Sequence, residues 1–274
     1  MNYRKQFQVL PGQRIQLREI DSSFTDEAEH KKSARRRLKK LLKRMDELQF
    51  LLYAEQKRSF LVCLQAPDAG GKDGVIRHVI SAMNPQGCRV VPFKQPTAIE
   101  AAHDFLWRVE AKTPQRGEVA IFNRSHYEDV IVVRVHNLVP KAIWSARFEQ
   151  INDFERRLVA ADMHLLKFFL HISKEEQLER FSDRLEDESR WWKISEADYT
   201  ERERWDGYTI AYEDAINNCS PDHAPWFVIP SDHKWFRDLA IAEIIVETME
   251  AFHMQVPAPK VDIADIRRRY QADR

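Results

Sequence analysis

Short apolar runs alternate with amphipathic segments along most of this chain. Five runs lack helical spacing and are typical of buried strands; they are SFLVCLQA (59–66), GCRVVPF (87–93), GEVAIFN (117–123), HLLKFFLHI (164–172) and APWFVI (224–229). The segments between them have helical periodicity, at 73–83, 98–112, 143–161, 174–188, 196–217 and 235–253. Because strands that alternate with helices build parallel sheets covered on both faces, we expect an α/β fold with a parallel five-stranded sheet.

The segments outside this alternation extend the same unit. A long helix is predicted from about Asp26 to Lys57, with an apolar stripe formed by Leu38, Leu41, Leu42, Met45, Leu48, Leu51 and Leu52. The first 24 or so residues resemble an irregular arm, and residues 255–274 resemble an attached tail. No repeat or domain boundary interrupts the pattern, so we expect a single domain over 1–274, with the arm and long helix covering about 1–57.

The stretch QAPDAGGKDG (65–74) resembles a phosphate-binding loop, although alanine stands for the first glycine and aspartate for the final hydroxyl residue. It follows the first predicted strand and precedes a helix, which is the context that such a loop requires. Ala69, Gly70, Gly71 and Gly74 let the backbone approach an anion closely, and Asp73 is also part of the predicted phosphate-binding loop. Lys72 is placed to neutralise phosphate, and Asp68 is expected to hold magnesium. The alternative is a glycine-rich turn with a surface lysine.

A second polar motif, IFNRSHYEDVIVVRVH (121–136), follows the third strand. The carboxyl ends of strands supply the ligand site in open α/β sheets, so Asn123 and Arg124 should lie beside the phosphate-binding loop. If a helix starts here, Arg124 and Glu128 share one face and could also form an ordinary surface pair. By the same rule, Lys94 follows the second strand at the ligand edge. Asp104 and Arg108 are four residues apart on a predicted helix, where they could contact substrate or pair with each other.

Five motifs in order resemble the polyphosphate kinase 2 family: APDAGGKDG, FKQPT, HDFLWR, FNRSHYEDV and RWWKISEADY. The resemblance covers roughly residues 15–255. It implies a P-loop kinase fold similar to thymidylate kinase, phosphate transfer between inorganic polyphosphate and nucleotides, magnesium (or manganese) as cofactor, and homodimers or homotetramers. Ala66 and Asn123 depart from the family wording, which more often has glycine and aspartate. The departure at Asn123 makes Asp129 the more attractive second metal carboxylate beside Asp68.

The resemblance also implies a subclass and a set of roles. Family members with glutamate at the position of Glu128 tend to accept nucleoside monophosphates as well as diphosphates, so AMP and ADP, with guanine nucleotides as further candidates, are the expected acceptors. Lys72 and Arg124 would neutralise the transferring phosphoryl group. Lys94, Asp104 and Arg108 are candidate acceptor-binding residues alongside Glu128.

An arginine-rich lid is predicted at about 180–199, after a helix. Phosphoryl transfer depends on positioning and charge neutralisation, which a closing basic lid supplies. The resemblance makes Arg184 and Lys193 the first candidates for polyphosphate contact, with Arg180 and Arg190 beside them. Glu186, Asp187 and Glu188 leave open the alternative of a mixed-charge helix.

A basic run, KKSARRRLKKLLKR (31–44), has nine cationic residues and no acidic one. It could guide a polyanion to the active site or bind nucleic acid, but such runs are more often the solvated face of an amphipathic helix. The whole chain carries 43 basic and 43 acidic residues, so no overall field favours nucleic acid or a membrane. We therefore expect neither partner.

Two further expectations concern compartment and rival functions. Three scattered cysteines and an opening without a signal-like apolar run favour a reducing cytoplasm. One rival function is a thymidylate-kinase-like enzyme that uses ATP as donor. The other is a non-enzymatic nucleic-acid binder, against which Lys72 and the five motifs argue.

Overall fold

All five strands belong to one parallel sheet in the computed structural model, which describes residues 1–274. The strands are β1 (Ser59–Gln65), β2 (Cys88–Pro92), β3 (Val119–Asn123), β4 (Met163–His171) and β5 (Trp226–Pro230). Their order across the sheet is β2-β3-β1-β4-β5. The register pairs Leu64 of β1 with Asn123 of β3 and with Phe168 of β4. The loops after β1 and β3 therefore leave the same edge of the sheet side by side.

Burial explains why the apolar runs form strands. Every residue of β1 and of β5 is buried. Strands buried on both faces are continuous apolar runs, as expected in a parallel sheet covered by helices. The largest apolar cluster lies between the sheet and the helices of one face, and two smaller clusters lie on the other face. The predicted α/β fold with a parallel five-stranded sheet is confirmed.

Twelve α-helices cover this sheet and extend from it. They are α1 (Tyr3–Phe7), α2 (Lys31–Glu55), α3 (Lys72–His78), α4 (Ala98–Ala101), α5 (Trp107–Glu110), α6 (Glu128–Val135), α7 (Lys141–Ala160), α8 (Lys174–Leu185), α9 (Glu196–Glu203), α10 (Trp205–Asn218), α11 (Lys234–Glu250) and α12 (Ile263–Ala272). Short 3-10 helices lie at Leu17–Glu19, Ile80–Ala82 and Glu188–Lys193. The prediction of one domain from 1 to 274 stays a prediction.

The long helix and the helix predicted over 98–112 differ from their expected bounds. The long helix starts at Lys31 rather than at Asp26, because His30 and Ser33 form a capping box there. The helix predicted over 98–112 is divided into α4 and α5. Between them, Asp104 Oδ1 accepts the backbone N–H of Leu106 at 2.9 Å, which favours a turn over a continuous helix.

The arm is more ordered than its sequence indicated. Tyr3 and Phe7 of α1 are buried and pack with Phe236 at the start of α11, with ring centroids 5.3 Å and 6.0 Å away. Val9 donates its backbone N–H to Trp226 of β5 at 2.9 Å. The arm thus covers the β5 side of the molecule. The tail also forms a helix, α12, although none of its residues is buried.

None of these helices has the length and apolar character needed to cross a membrane.

Candidate active site

The loop between β1 and α3, residues 66–74, is here called the phosphate loop. A Cβ atom on Gly70 would lie 2.5 Å from Cβ of Ala66, and Gly71 has a φ of +106°. Ala69 also adopts a positive φ of 58°, which is rare for residues with a side chain. The loop is therefore compact, and glycine at positions 70 and 71 is required by space and by backbone conformation.

The phosphate loop presents unpaired donors at the start of α3. The backbone N–H groups of Gly71, Lys72, Asp73 and Gly74 donate to no protein acceptor. Lys72 Nζ lies inside the loop, where it donates to the carbonyl oxygens of Ala66 at 2.8 Å and Pro67 at 3.3 Å. Free backbone donors beside an ammonium group form a suitable site for an anion such as phosphate.

Burial sets the charge state of Lys72. It lowers the pKa of the Lys72 ammonium to about 8, with repulsion from Arg124 as the second cause. Asp68 and Glu128 oppose this shift. A bound polyanion would act in the same direction as these carboxylates, so we expect phosphate to favour the charged form of Lys72.

Arg124 joins the two candidate motifs. Its backbone N–H donates to Leu64 at 3.1 Å, and its φ of +63° is unusual for arginine. Its guanidinium contacts Asp68 Oδ1 at 2.9 Å and Glu128 Oε2 at 3.5 Å. The cation beside the loop carboxylate is therefore an arginine from the next strand. The structure brings four predicted site residues together, namely Asp68, Lys72, Arg124 and Glu128.

A pocket opens beside this ion-paired group and was not foreseen from the sequence. Its wall includes Glu128, Gln177, Glu201, Trp205, Tyr208 and Tyr212. Burial raises the pKa of Glu128, and attraction to Arg124 opposes that shift. Three aromatic residues in one wall suit a nucleoside. Their i, i+3 and i+7 spacing on α10 was the available signal, but that spacing equally describes a core-facing helix.

Only part of the predicted metal site is assembled. Asp129 is buried, and its carboxylate lies 3.5 Å from Arg108 and 3.6 Å from Arg147. It does not line the pocket that contains Asp68. No group of three or more acidic, histidine or cysteine side chains is placed to hold a metal ion. Asp68 with substrate phosphates still fits magnesium, which is commonly bound by one or two carboxylates together with phosphates.

Asn123 links β3 to the phosphate loop and the lid. Its Nδ2 donates to Asp73 Oδ1 at 3.1 Å, and the other oxygen of Asp73 lies 3.9 Å from Lys193 Nζ. Aspartate at position 123 would meet Asp73 with like charge unless a cation lay between them. Lys193 therefore lies beside the phosphate loop, and its contact with polyphosphate as a lid residue stays a prediction.

The other predicted lid arginines have protein partners. Arg184 donates to the carbonyl of Lys193 at 3.4 Å and lies 3.7 Å from Asp198, whereas exposed Arg190 pairs with Asp187 at 2.7 Å. These contacts hold the segment 184–198 together.

The placement of Arg180 on the lid is corrected by the structure. Arg180 is buried in α8 and donates to the carbonyl oxygens of Ala69, at 2.8 Å, and of Ser231. It also pairs with Glu176 at 2.7 Å. Because several backbone acceptors hold its guanidinium, Arg180 supports the phosphate loop and is not free to contact polyphosphate.

The candidate acceptor residues after β2 are placed differently from one another. Lys94 is exposed at the ligand edge of the sheet. Arg108 is buried, donates to the Lys94 carbonyl at 2.7 Å and lies 3.5 Å from Asp129. Asp104 caps its local turn and does not pair with Arg108. Arg108 thus connects the segment after β2 to α6, and a substrate role for the three residues stays a prediction.

A buried polar network supports the second motif and was not predicted. Lys167 Nζ donates to Glu155 Oε2 at 2.5 Å and to the Tyr127 hydroxyl at 2.9 Å. His126 Nε2 and the Tyr127 hydroxyl both contact Glu155 Oε1, at 3.1 and 2.9 Å. The side chains of Lys167 and Glu155 have no solvent exposure. The network fixes the backbone that precedes Glu128. Its sequence signal, a lysine inside an apolar strand, was visible.

The comparisons with known proteins agree with these features. The family model for polyphosphate kinase 2 (PPK2) matches residues 28–257. An AMP/ADP-polyphosphate phosphotransferase of Meiothermus ruber is 48% identical over 93% of this chain and 96% of its own length. An ADP-polyphosphate phosphotransferase of Rhodopseudomonas palustris is 42% identical over 92% of each chain. The crystal structure of polyphosphate kinase 2 from Arthrobacter aurescens TC1 superposes with a TM-score of 0.95 at 36% identity, covering 99% of this chain and 97% of that one. The chain is a member of the polyphosphate kinase 2 family, and so of a family of phosphotransferase enzymes.

Proposed function

We propose that this enzyme transfers phosphate reversibly from inorganic polyphosphate to AMP and to ADP. One observation carries the proposal: Arg124 joins the phosphate loop to the carboxylate at position 128, at the mouth of a pocket with an aromatic wall. The loop suits the transferring phosphate, and the pocket suits the nucleoside of the acceptor. The names of the two relatives support the same donor and acceptors.

The chain's own residues account for most of the chemistry. The free N–H groups of Gly71–Gly74 and the ammonium of Lys72 bind and orient the phosphoryl group. Arg124 neutralises charge that develops in transfer, which is the main requirement of phosphoryl transfer. The acceptor oxygen of a phosphate is already ionised near neutral pH, so no strong general base is needed. Lys193 and Arg184 would close over the donor.

Magnesium is the proposed cofactor, with manganese as a substitute, and Asp68 would hold it together with phosphate oxygens. When bound, this cation neutralises phosphate charge and aligns the donor with the acceptor. Asp129 is less suited, since two arginines already occupy it.

The finer expectations belong to the same proposal. Guanine nucleotides are proposed as further acceptors, and the family resemblance supports a homodimer or homotetramer in the cytoplasm. Light scattering on the purified chain tests the assembly, and competition between GMP and AMP tests the base preference.

A donor exchange tests the function. Labelled AMP is incubated with enzyme and magnesium, and either polyphosphate or ATP is added as the sole donor. The proposal expects labelled ADP with polyphosphate and much slower labelling with ATP. Efficient transfer from ATP alone would assign the enzyme to the alternative, an ATP-dependent nucleotide kinase.

A further inference from the structure

One face of α2 carries a continuous row of exposed cations that the proposed reaction does not use. The row is here called the basic face and consists of Lys31, Lys32, Arg35, Arg36, Lys39 and Lys40. The residues repeat at i, i+1, i+4, i+5, i+8 and i+9, so they lie on one side of the helix. At a rise of about 1.5 Å per residue, the row is about 14 Å long.

We infer that the basic face is a second binding surface for inorganic polyphosphate, separate from the phosphate loop. It would hold distant parts of a long chain while one end reacts. The inference rests on the proposed use of polyphosphate as donor.

The cations of the basic face have no acidic partner. None of the six forms an ion pair, whereas Arg37 on the inward side of the same helix pairs with Glu29 and Glu243. Arg44, further along, pairs with Glu47 and Glu250. The helix therefore uses its inner arginines for folding and leaves the outer six available to an anion from solution.

The arrangement of the six cations is unfavourable for the helix without such an anion. Positions 31 and 35, 32 and 36, 35 and 39, and 36 and 40 place like charges one turn apart, which destabilises a helix. The first turn has no acidic residue, although the helix dipole favours negative charge there. A bound polyanion would relieve both effects.

The start of the basic face lies at the level of the phosphate loop. Arg37 pairs with Glu243 and Arg44 with Glu250, and both pairs are separated by 206 residues. Helices α2 and α11 therefore run side by side in the same direction, and each residue of α2 lies beside the residue of α11 whose number is 206 higher. By this offset, Lys31 lies level with Arg237. The guanidinium of Arg237 lies directly against Gly71 and Gly74 of the phosphate loop. The basic face thus begins at the level of this loop and extends away from it.

The chemistry of the basic face fits polyphosphate better than nucleic acid. Non-specific binding of single strands commonly combines cations with aromatic side chains on which bases stack. The run from 31 to 44 contains no aromatic residue. Inorganic polyphosphate has no bases to stack, so a protein can bind it with cationic side chains alone. The balanced net charge of the chain also makes this row a local feature and not part of a general basic surface.

The test replaces all six cations of the basic face by glutamine, which has a similar helix propensity. The control variant replaces six exposed cations that form no ion pair elsewhere, namely Lys5, Arg14, Lys112, Lys141, Lys260 and Arg267. Steady-state rates of AMP phosphorylation are measured with long-chain polyphosphate and with tripolyphosphate. A melting temperature at or above that of the wild type shows that the variant folds, because like-charge repulsion has been removed.

We expect the basic-face variant to raise KM for long-chain polyphosphate about tenfold, through the loss of multivalent attachment. The value of kcat and the constants for tripolyphosphate should stay unchanged, and the control variant should match the wild type. An unchanged KM for the long chain, or an equal loss with tripolyphosphate, would overturn the inference. So would tighter binding of a DNA or RNA oligonucleotide than of polyphosphate to the basic face.

A binding measurement separates this inference from the proposed function. Labelled long-chain polyphosphate is titrated into the inactive Lys72→Ala protein, with and without the six glutamines. Weaker binding in the protein with glutamines supports the basic face even if wild-type turnover with polyphosphate is absent, in which case only the proposed function fails. Equal binding in the two proteins refutes the basic face.

Discussion

Replacement of Glu128 tests how the enzyme distinguishes AMP from ADP. Glu128 Oε2 lies 3.5 Å from Arg124, whose other contact is Asp68 at 2.9 Å. AMP has one phosphate fewer than ADP, so the bound nucleotide must bring its acceptor oxygen closer to the donor. A carboxylate at 128 repels this phosphate and cannot bind it directly. It can hold Arg124 in the position that brings the shorter acceptor into line.

The structure separates the effect of this change on folding from its effect on the reaction. Arg124 lies before the start of α6, so its pair with Glu128 does not belong to a helix, and the Arg124 side chain is 40% exposed. Exposed ion pairs stabilise the folded state by about 0.2–1 kcal/mol. The desolvation that raises the pKa of Glu128 reduces even this value. We expect Glu128→Asn to lower kcat/KM with AMP at least about tenfold, or about 1.4 kcal/mol in the barrier, while sparing ADP.

The assay compares kcat/KM for AMP and ADP at fixed magnesium and polyphosphate. Glu128→Gln removes the charge and keeps the length of the side chain, whereas Glu128→Asp keeps the charge and shortens it. If charge holds Arg124, Gln should behave as Asn does, and Asp should retain most of the AMP activity. Equal losses with AMP and ADP in all three variants would make Glu128 a general structural or metal residue and refute the reasoning.

Three further changes test other parts of the site. Because burial lowers the pKa of Lys72 to about 8 and the charged form is the one that binds phosphate, kcat/KM for polyphosphate should fall as pH rises through about 8; Lys72→Arg should remove this fall, and an identical pH profile would exclude Lys72 as its source. Asp68→Asn should raise the magnesium concentration needed for half-maximal rate, whereas an unchanged magnesium titration would make Asp68 structural. Lys167→Met leaves Glu155 buried without a cation, so denaturant unfolding should show a loss of about 3–5 kcal/mol, and adding Glu155→Gln should recover part of it.

The sequence predicted most of the fold because its signals there are local. Each strand is a continuous apolar run, and each lies within two residues of its predicted bounds. The structure of the arm could not be predicted in this way. Tyr3 and Phe7 are buried against Phe236, more than 200 residues away, and a contact at that separation leaves no periodic pattern.

The site was predicted as far as motif position allows. The rule that the carboxyl ends of parallel strands supply the ligand site predicted that Asp68 and Arg124 lie together, and the structure shows that β1 and β3 are neighbours. The partners of Asp129 and Arg180 could not be predicted, since the sequence of a motif does not reveal the direction in which a carboxylate or guanidinium points. Asp129 faces Arg108 and Arg147, and Arg180 faces the backbone of the phosphate loop.

A single time course tests the central claim most directly. AMP, long-chain polyphosphate and magnesium are mixed with the enzyme in the absence of ATP, and AMP, ADP and ATP are measured together with the polyphosphate consumed. The account predicts that ADP appears first and ATP follows, with one phosphate lost from the polymer for each bond formed, and that Lys72→Ala slows both steps on the order of a hundredfold or more. No ADP or ATP under these conditions, or the same products at an undiminished rate from Lys72→Ala, would contradict it.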